Sequence, residues 1–213
     1  MTPSRPETGN RFDRRKARTR RKLLDAARVI LSAGTAHESS IQDITDAADV
    51  GFGSFYNHFP TKADLFTAAV EDVLEEMGAR LDELSSTVQD PAATFAQSVR
   101  LAGRLARRQP QLAQVMVRHG IAYTDSDRGL APRALRDIAA GIDADRFQVS
   151  SARLAMSTVA GALLAALQLS LTDPAFDDDT VYDQLAEQLL RMLGIPAAEA
   201  RELATAPLPG PVN

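Results

Sequence analysis

The segment from Ser40 to Phe66 constrains the fold of this chain more than any other part of its sequence. It reads SIQDITDAADVGFGSFYNHFPTKADLF and predicts two short helices set at an angle, followed by a third helix. Ile44 and Ala48 recur at helical spacing, and Phe55 and Phe59 lie four residues apart, so each short helix can turn an apolar face towards a small core. This layout is that of a helix-turn-helix, whose second helix enters the major groove of DNA.

Turn and cap residues mark the ends of these helices. Ser40 is a predicted N-cap for the first helix, and Asp49-Val50-Gly51 supplies the turn. Pro60 stops the second helix, and Thr61 caps the third. Because aspartate tolerates a left-handed backbone better than most residues, Asp49 is compatible with a tight turn.

These residues resemble the N-terminal DNA-binding domain of the tetracycline-repressor (TetR) family of bacterial transcription regulators. The run from Phe55 to Leu65, FYNHFPTKADL, is similar to the signature of that family, and Leu23 to Ala27, LLDAA, looks like its first-helix motif. The chain departs from the family pattern at Asp49, where Gly is usual, at Thr45, where Ala is frequent, and at Phe52-Gly53. These departures affect which operator sequence is expected, and they do not affect the identification of the helix-turn-helix motif.

The resemblance, which covers roughly residues 18 to 70, implies DNA contacts when it is carried over position by position. Tyr56 and His58 match residues of the recognition helix that contact DNA, and Ser54 matches a position that meets phosphate or base. Lys62 matches the phosphate-binding lysine at the start of the fourth helix. The chemistry agrees, because hydroxyl groups donate to phosphate oxygens and a lysine adds charge to a helix N-terminus that already attracts anions.

Four further positions are candidates for contact with the groove. Asn57 can pair bidentately with adenine, although in much of the family that position faces partly away from the DNA. Gln42, on the first short helix, is a candidate for a neighbouring base or phosphate, and Gly53 lets the backbone approach the groove closely. Phe52 either meets a thymine methyl or is a solvent-side aromatic, and its exposure without DNA would favour the first.

The net charge of −4 argues against a nucleic-acid partner until its distribution is considered. Residues 1 to 22 carry a local charge of +7, so the remainder carries −11. A basic arm beside a helix-turn-helix attracts the phosphate backbone, and an acidic body limits non-specific adhesion. The alternative for such a run is a solvated, disordered tail. Its basic residues are Arg5, Arg11, Arg14, Arg15, Lys16, Arg18, Arg20, Arg21 and Lys22.

The whole pattern predicts an all-α fold, with an N-terminal three-helix helix-turn-helix domain and a C-terminal helical bundle. Residues 1–15 are predicted to be a disordered basic arm, and residues 16–66 the helix-turn-helix domain. Residues 67–196 are predicted to form a helical ligand-binding and dimerisation domain, and residues 197–213 a flexible tail. Longer helices are predicted over about 16–33, 61–84, 91–108, 110–123, 132–140, 149–171 and 180–193.

The last two long helices carry more apolar surface than one chain needs. The helix over Val149 to Leu171 is too apolar to have one face in water, and Leu185 and Leu189 lie on one stripe of the next helix. In the resembled family, the last two long helices form a four-helix bundle across a two-fold axis, so the resemblance implies a homodimer. The alternative is an entirely intramolecular core, although two-fold dimers dominate homo-oligomers.

The resemblance also implies a cavity for a small-molecule effector among the fourth to eighth helices. Low aromatic content, 5% with no Trp, fits an aliphatic or modestly aromatic cavity. The alternative for each candidate side chain is a purely structural position in the hydrophobic core. The candidates for its lining are Phe95, Val99, Met116, His119, Tyr123, Phe147, Met156 and Leu163.

No catalytic, cofactor or metal motif is evident. The chain has no Cys, which leaves no thiolate nucleophile or cysteine metal site, and it has no phosphate loop, nucleophile elbow or dinucleotide fingerprint. His37, His58 and His119 match no metal template. The run Asp177 to Asp179 lacks the alternating ligands and the glycine of a calcium loop. Its negative charge more simply stabilises the N-terminus of the last long helix.

Membrane insertion and secretion are not predicted either. The longest apolar candidate, Val159 to Leu171, is interrupted by Gln168 and Ser170. The N-terminus is polar and basic without an apolar stretch behind it, so no secretory signal is predicted. With no Cys, the chain fits a reducing cytoplasm.

The sequence therefore predicts a cytoplasmic, homodimeric transcription regulator. The expected form is a repressor that binds a palindromic operator in double-stranded DNA and is released by a small apolar effector. A DNA-binding protein without an effector, or an activator, is the alternative. A small helical enzyme has no supporting feature.

Overall fold

The computed structural model describes residues 8–85 and 88–208, and within these ranges it contains ten α-helices and no strand. The all-α prediction is confirmed. The chain divides into two compact units, which we name the head, up to Ala69, and the body, from Val70, and the boundary falls within α4. The helices are α1 (Thr8–Ala33), α2 (Ile41–Ala47), α3 (Phe52–Phe55), α4 (Lys62–Ser85), α5 (Pro91–Arg108), α6 (Pro110–His119), α7 (Leu130–Asp143), α8 (Ala152–Thr172), α9 (Thr180–Met192) and α10 (Ala197–Thr205), with short 3-10 turns at Gly120–Tyr123 and Pro174–Phe176.

Helix α1 begins earlier than predicted. It starts at Thr8 rather than at about Lys16, so the prediction of a disordered arm over residues 1–15 is wrong from Thr8 onwards. The first seven residues lie outside the described part of the chain. Both prolines of this region, Pro3 and Pro6, precede the helix, and the arginines and lysines that follow them are good helix formers.

The capping and turn residues of the head form the local structures that the sequence predicts for them. The N–H of Asp43 donates to Ser40 Oγ (3.1 Å), and the N–H of Ser40 donates to Asp43 Oδ2 (2.8 Å), which completes a capping box at the start of α2. Asp49 has a φ of 50°, so the left-handed turn predicted there is confirmed. Lys22 Nζ donates to Asp49 Oδ2 (2.8 Å) and to its carbonyl oxygen (3.1 Å), which ties α1 to the turn.

The body is built around α5, which packs against α7, α8 and α9. The rings of Phe95 and Phe147 meet edge to face with centroids 5.7 Å apart. Gly141 makes room for this contact, because a Cβ there would overlap the Phe147 ring. Leu189 of α9 is buried in the same core, so this residue of the predicted interface stripe is not available to a partner chain.

The C-terminal segment is a helix rather than the predicted flexible tail. Residues Ala197–Thr205 form α10, which packs against α9 and α5, so the prediction over 197–213 is wrong as far as this helix. Ala200 and Ala204 lie four residues apart and are buried, which gives the helix an apolar face in the body core. Residues 209–213 lie outside the described part.

Helix α8 carries apolar surface that its own chain does not cover. Leu154 is 69% exposed and Ala165 is exposed, and a Cβ at Gly161 would meet no atom within 4 Å. Among the described residues, α8 is the one helix that is long and apolar enough to cross a membrane by length and composition alone. The sequence, by contrast, predicts no membrane-spanning segment in this helix. Only four of its residues are buried, namely Ala155, Met156, Val159 and Leu167.

Candidate nucleic-acid interface and ligand cavity

The second helix of the helix-turn-helix, α3, is shorter than predicted. It spans Phe52–Phe55, and the chain continues as a turn in which the N–H groups of His58 and Phe59 both donate to the carbonyl of Phe55 (2.9 and 3.0 Å). Pro60 opposes a longer helix, since the residue before a proline disfavours the α conformation. Phe55 and Phe59 are buried, as their spacing predicted.

The predicted DNA contacts lie on one short stretch of the head and differ in exposure. Gln42 Nε2 donates to Asp46 Oδ1 (2.7 Å), so contact with a base would require this hydrogen bond to be exchanged. A Cβ at Gly53 would meet no atom within 4 Å, so the protein itself has room for a side chain there. Gln42, Gly53, Tyr56 and Asn57 are exposed, whereas Ser54, His58 and Lys62 are half-buried.

Lys62 occupies the first position of α4, where the sequence placed it. The N–H of Asp64 donates to Thr61 Oγ1 (3.1 Å) and the N–H of Thr61 donates to Asp64 Oδ2 (3.0 Å), which confirms the predicted cap. Lys62 Nζ donates to the carbonyls of Ser39 (2.8 Å) and His37 (3.3 Å). The lysine therefore joins the start of α4 to the loop before α2, and phosphate contact stays a prediction.

We name residues 52–59, which comprise α3 and the turn after it, the recognition segment, and the positive charge of α1 extends to it. Burial, followed by the charges of Lys16 and Arg20, lowers the pKa of His58 below its ordinary value. The imidazole is therefore neutral at neutral pH and offers both a donor and an acceptor. The guanidinium of Arg20 also lies over the Phe59 ring, 5.1 Å from its centroid.

The body contains a cavity of about 240 Å³. Its walls come from α4, α5, α6, the 3-10 turn after α6, α7 and α8. Most of the lining is apolar, with a smaller number of polar side chains, which is the usual composition of a site for a small organic molecule. The apolar lining includes Leu74, Leu81, Phe95, Val99, Met116, Leu130, Met156, Val159, Leu163 and Leu164.

Of the eight candidate side chains, six lie in the wall of this cavity and two do not. His119 and Phe147 do not line the cavity. Phe147 is used instead as core, packed between Phe95 and the backbone of Gly141, and His119 ends α6. The candidates that do line the cavity are Phe95, Val99, Met116, Tyr123, Met156 and Leu163, and ligand contact by them stays a prediction.

One wall of the cavity is polar, and the sequence analysis missed it. Asp82 of α4 lies there with Arg133, Arg136 and Asp137 of α7. Asp82 Oδ2 accepts from Arg133 Nε (2.7 Å), and Oδ1 accepts from Arg136 Nη2 (2.9 Å). Although burial acts to raise the pKa of Asp82, these hydrogen bonds outweigh it and hold that pKa below its ordinary value. The wall therefore presents an ionised Asp82 beside two guanidinium groups at neutral pH.

Arg133 lies across α4 in a slot that Gly78 provides. A Cβ at Gly78 would come within 2.7 Å of Arg133 Nη1. The guanidinium donates to both carboxylate oxygens of Glu75 (2.8 and 3.1 Å) and to the carbonyl of Gly129 (2.7 Å). These bonds from Arg133, followed by one from the N–H of Gly129, lower the pKa of Glu75 to about 2. Glu75, Gly78 and Asp82 share one face of α4, and this spacing is the only trace of the slot in the sequence.

No group of three or more His, Asp or Glu side chains that could hold a metal ion occurs in residues 8–85 and 88–208. The acidic run at 177–179 is used in other ways. Arg107 pairs with Asp177 (3.0 Å) and Asp179 (3.0 Å), and Asp178 accepts from the N–H of Thr180 (3.1 Å) at the start of α9.

Two family models match the chain. One, described as "Tetracyclin repressor-like, C-terminal domain", matches residues 90–206. The other, described as "Bacterial regulatory proteins, tetR family", matches residues 23–69. The first match alone covers more than half of the chain.

Solved structures resemble the chain over nearly its whole length. The crystal structure of RolR in complex with the ligand resorcinol is 35% identical with a TM-score of 0.74, and the match covers 93% of this chain and 98% of that one. The structure of RolR without ligand has a TM-score of 0.71 at the same identity, over 89% of this chain.

Curated relatives match over a shorter span. The transcriptional repressor KstR of Mycobacterium tuberculosis is 29% identical over 112 residues, which is 53% of this chain and 50% of KstR. The nucleoid occlusion factor SlmA of Vibrio vulnificus is 24% identical over 110 residues, which is 51% of this chain and 56% of SlmA. The chain thus spans about half the length of the curated relatives it matches.

Proposed function

The chain belongs to the tetR family of bacterial regulatory proteins, and we propose that it is a cytoplasmic, homodimeric repressor that binds a palindromic operator and is released by a small effector. The observation that carries this proposal is that α4 belongs both to the head and to the wall of the body cavity. It begins at Lys62, a predicted phosphate contact, and supplies Leu74, Leu81 and Asp82 to the cavity. A ligand that displaces this helix therefore acts on the DNA contact.

Double-stranded DNA is the proposed macromolecular partner. Helix α1 presents Arg11, Arg14, Arg15 and Arg18, all exposed, at spacings that put them on one helix face. Such a stripe supports contact with the phosphate backbone beside the recognition segment. Affinity is expected to fall steeply with salt, with a slope that reflects several phosphates.

A second copy of the chain is the proposed cover for α8. The exposed apolar face of this helix is the surface that the family resemblance assigns to a two-fold interface, and Gly161 leaves room for the close approach of another helix. A two-fold dimer presents two recognition segments, which must lie about 34 to 36 Å apart to enter successive major grooves. The two-fold symmetry of such a dimer makes the operator palindromic, and the separation sets the spacing of its half-sites.

The proposed effector is a small phenol. The cavity of about 240 Å³ suits a compact ring between Phe95, Met116 and Met156, with its hydroxyl groups at the polar wall. The carboxylate of Asp82 can accept from a hydroxyl, and the guanidinium of Arg136 can donate to one. The solved complex of RolR with resorcinol supports this class of ligand and makes resorcinol the first probe.

Calorimetric titration of resorcinol into the full-length dimer, with and without a selected operator duplex, tests the proposal. Because coupling between two sites is reciprocal, operator DNA should weaken resorcinol binding by the factor by which resorcinol weakens operator binding, typically 5- to 150-fold. Failure of resorcinol and of a panel of substituted phenols to bind would contradict the effector class.

The alternative is a sequence-specific DNA-binding protein without an effector, and the match to the nucleoid occlusion factor SlmA favours it. Identical resorcinol affinities in the presence and absence of operator would support this alternative, since the bound molecule would then have no regulatory effect. A reporter gene placed behind the operator distinguishes a repressor from an activator.

A further inference from the structure

Phe52 is an exposed aromatic side chain at the first position of α3. It is 47% exposed, and the residues on either side of it are Gly51 and Gly53. A Cβ at Gly53 would meet nothing within 4 Å, and one at Gly51 would make only an ordinary contact with Ser54 Oγ at 3.8 Å. The positions on either side of Phe52 therefore carry no side chain that would stand between its ring and DNA.

The ring is held in place although it is exposed. Its centroid lies 5.9 Å from that of Tyr56 in an edge-to-face contact, and the Tyr56 ring makes the same kind of contact with Phe55 at 5.4 Å. Phe55 is fully buried in the head. This series of rings connects Phe52 to the head core, and the edge-to-face contacts favour one orientation of its ring before DNA binds.

We propose that Phe52 recognises the C5-methyl group of one thymine in each operator half-site. The methyl group of thymine is the apolar feature among the base edges of the major groove, and a side chain without polar atoms can distinguish bases there only through such a contact. The surrounding charge favours DNA as the occupant, because α1 carries an exposed arginine stripe in the same head. The inference rests on the proposed function, since it requires α3 to enter the groove.

The experiment begins with selection of an operator from random duplexes by the full-length wild-type protein. Each thymine is then replaced singly by deoxyuridine, which removes only the methyl group. At one thymine of a half-site, uracil should lower wild-type affinity about fourfold, the effect of burying one methyl group. At that position, Phe52→Ala should bind the thymine and uracil duplexes equally, and Phe52→Leu should keep part of the discrimination.

Phe12→Ala is the matched control, because Phe12 is another exposed phenylalanine of the head, on α1. It should keep the wild-type preference for thymine, and circular dichroism should show all three variants folded. The inference is overturned if wild-type protein tolerates uracil everywhere, or if Phe52→Ala keeps the discrimination. If the selection enriches no sequence, the proposed function itself fails and the inference fails with it, whereas an enriched site without methyl dependence removes only the inference.

Discussion

The head and the body are each stabilised internally, and the hydrogen bonds that begin the helices of the head have a much shorter range in the sequence than the ion pairs within the body. In the head, the hydrogen bonds that begin α4 join Thr61 and Asp64, only three residues apart. In the body, Arg100 of α5 donates to Asp183 of α9, which is 83 positions away, at 2.7 Å. The difference shows that a short sequence pattern can build the helix-turn-helix proposed to bind DNA, whereas the cavity exists only after distant helices have packed.

The largest expected effect comes from disrupting the proposed dimer interface of the body while leaving the proposed DNA contacts of the head unchanged. Ala165→Glu places a charge on the exposed apolar face of α8 without touching the core of its own chain. We expect monomers in light scattering and an operator affinity about 100-fold lower, because the two half-sites then lose their linkage.

Ala140→Glu is the control for this variant, since Ala140 is exposed on α7. It should leave the dimer intact, and an unchanged dimer for Ala165→Glu would contradict the proposed interface. Leu189, on the stripe predicted from the sequence, is unsuitable for this test because it is buried in the body core.

The head and the body differ in how well each tolerates one methyl group added at a glycine. A Cβ at Gly103 would overlap the ring of Tyr182, so Gly103→Ala should lower the free energy of unfolding by about 3 kcal/mol. Gly53→Ala meets no atom within 4 Å and should raise it by up to about 1 kcal/mol, as alanine does in a helix. Urea denaturation measures both. Equal destabilisation by the two substitutions would contradict the expected difference between the head and the body.

Asn57 and Lys62 test which contacts in the head are specific to sequence. Asn57→Ala should cost about 1–3 kcal/mol on the selected operator and relax the preference at one base pair, because a bidentate contact with adenine would be lost. Lys62→Ala should weaken all sequences about equally and reduce the salt slope by about one. Equal losses on operator and random DNA for Asn57→Ala would make Asn57 a backbone contact.

The smallest expected effect concerns the slot on α4. Folding lowers the pKa of Glu75 from 4.5 to about 2, so its contribution to stability is complete above pH 4.5 and is lost as the pH falls towards 2. Because the side chain is 38% exposed, solvent screening reduces the contribution to about 1 kcal/mol.

Glu75→Gln should therefore flatten the pH dependence of the free energy of unfolding between pH 4.5 and 2. Urea denaturation at several pH values measures this change. Glu71→Gln is the matched control, since it removes only a longer contact with Arg128 (3.7 Å). A pH dependence identical to that of the wild type in Glu75→Gln would show that the slot contributes nothing.

The sequence predicted most of the head because its signals act over one helical turn. The cap at Ser40, the turn at Asp49 and the cap at Thr61 each depend on a residue and its near neighbours, and all three occur as predicted. The predicted start of α1 is too late, because dense like charge by itself predicts disorder. The structure shows that the arginine-rich stretch is compatible with a helix from Thr8.

The body was predicted as helices around a cavity, but the sequence did not distinguish the side chains that line this cavity. Apolar periodicity marks the positions that are buried, and it does not distinguish a residue that lines a cavity from one that fills the core. Met116 lines the cavity and Phe147 does not, although both were candidates on the same grounds. Similarly, α10 carries too few apolar residues to stand out, and its burial depends on contact with α5 and α9.

The sequence by itself therefore determined the all-α class, the family and the helix-turn-helix, because these depend on local propensity, caps and a contiguous motif. Only the tertiary structure decided where the cavity lies and what its polar wall contains. Asp82 and Arg133 are 51 positions apart, and Gly78 admits the arginine between two carboxylates of α4. No local sequence pattern links these residues, because their contact forms only when α4 and α7 pack against each other. The sequence alone does not show that these two helices are neighbours.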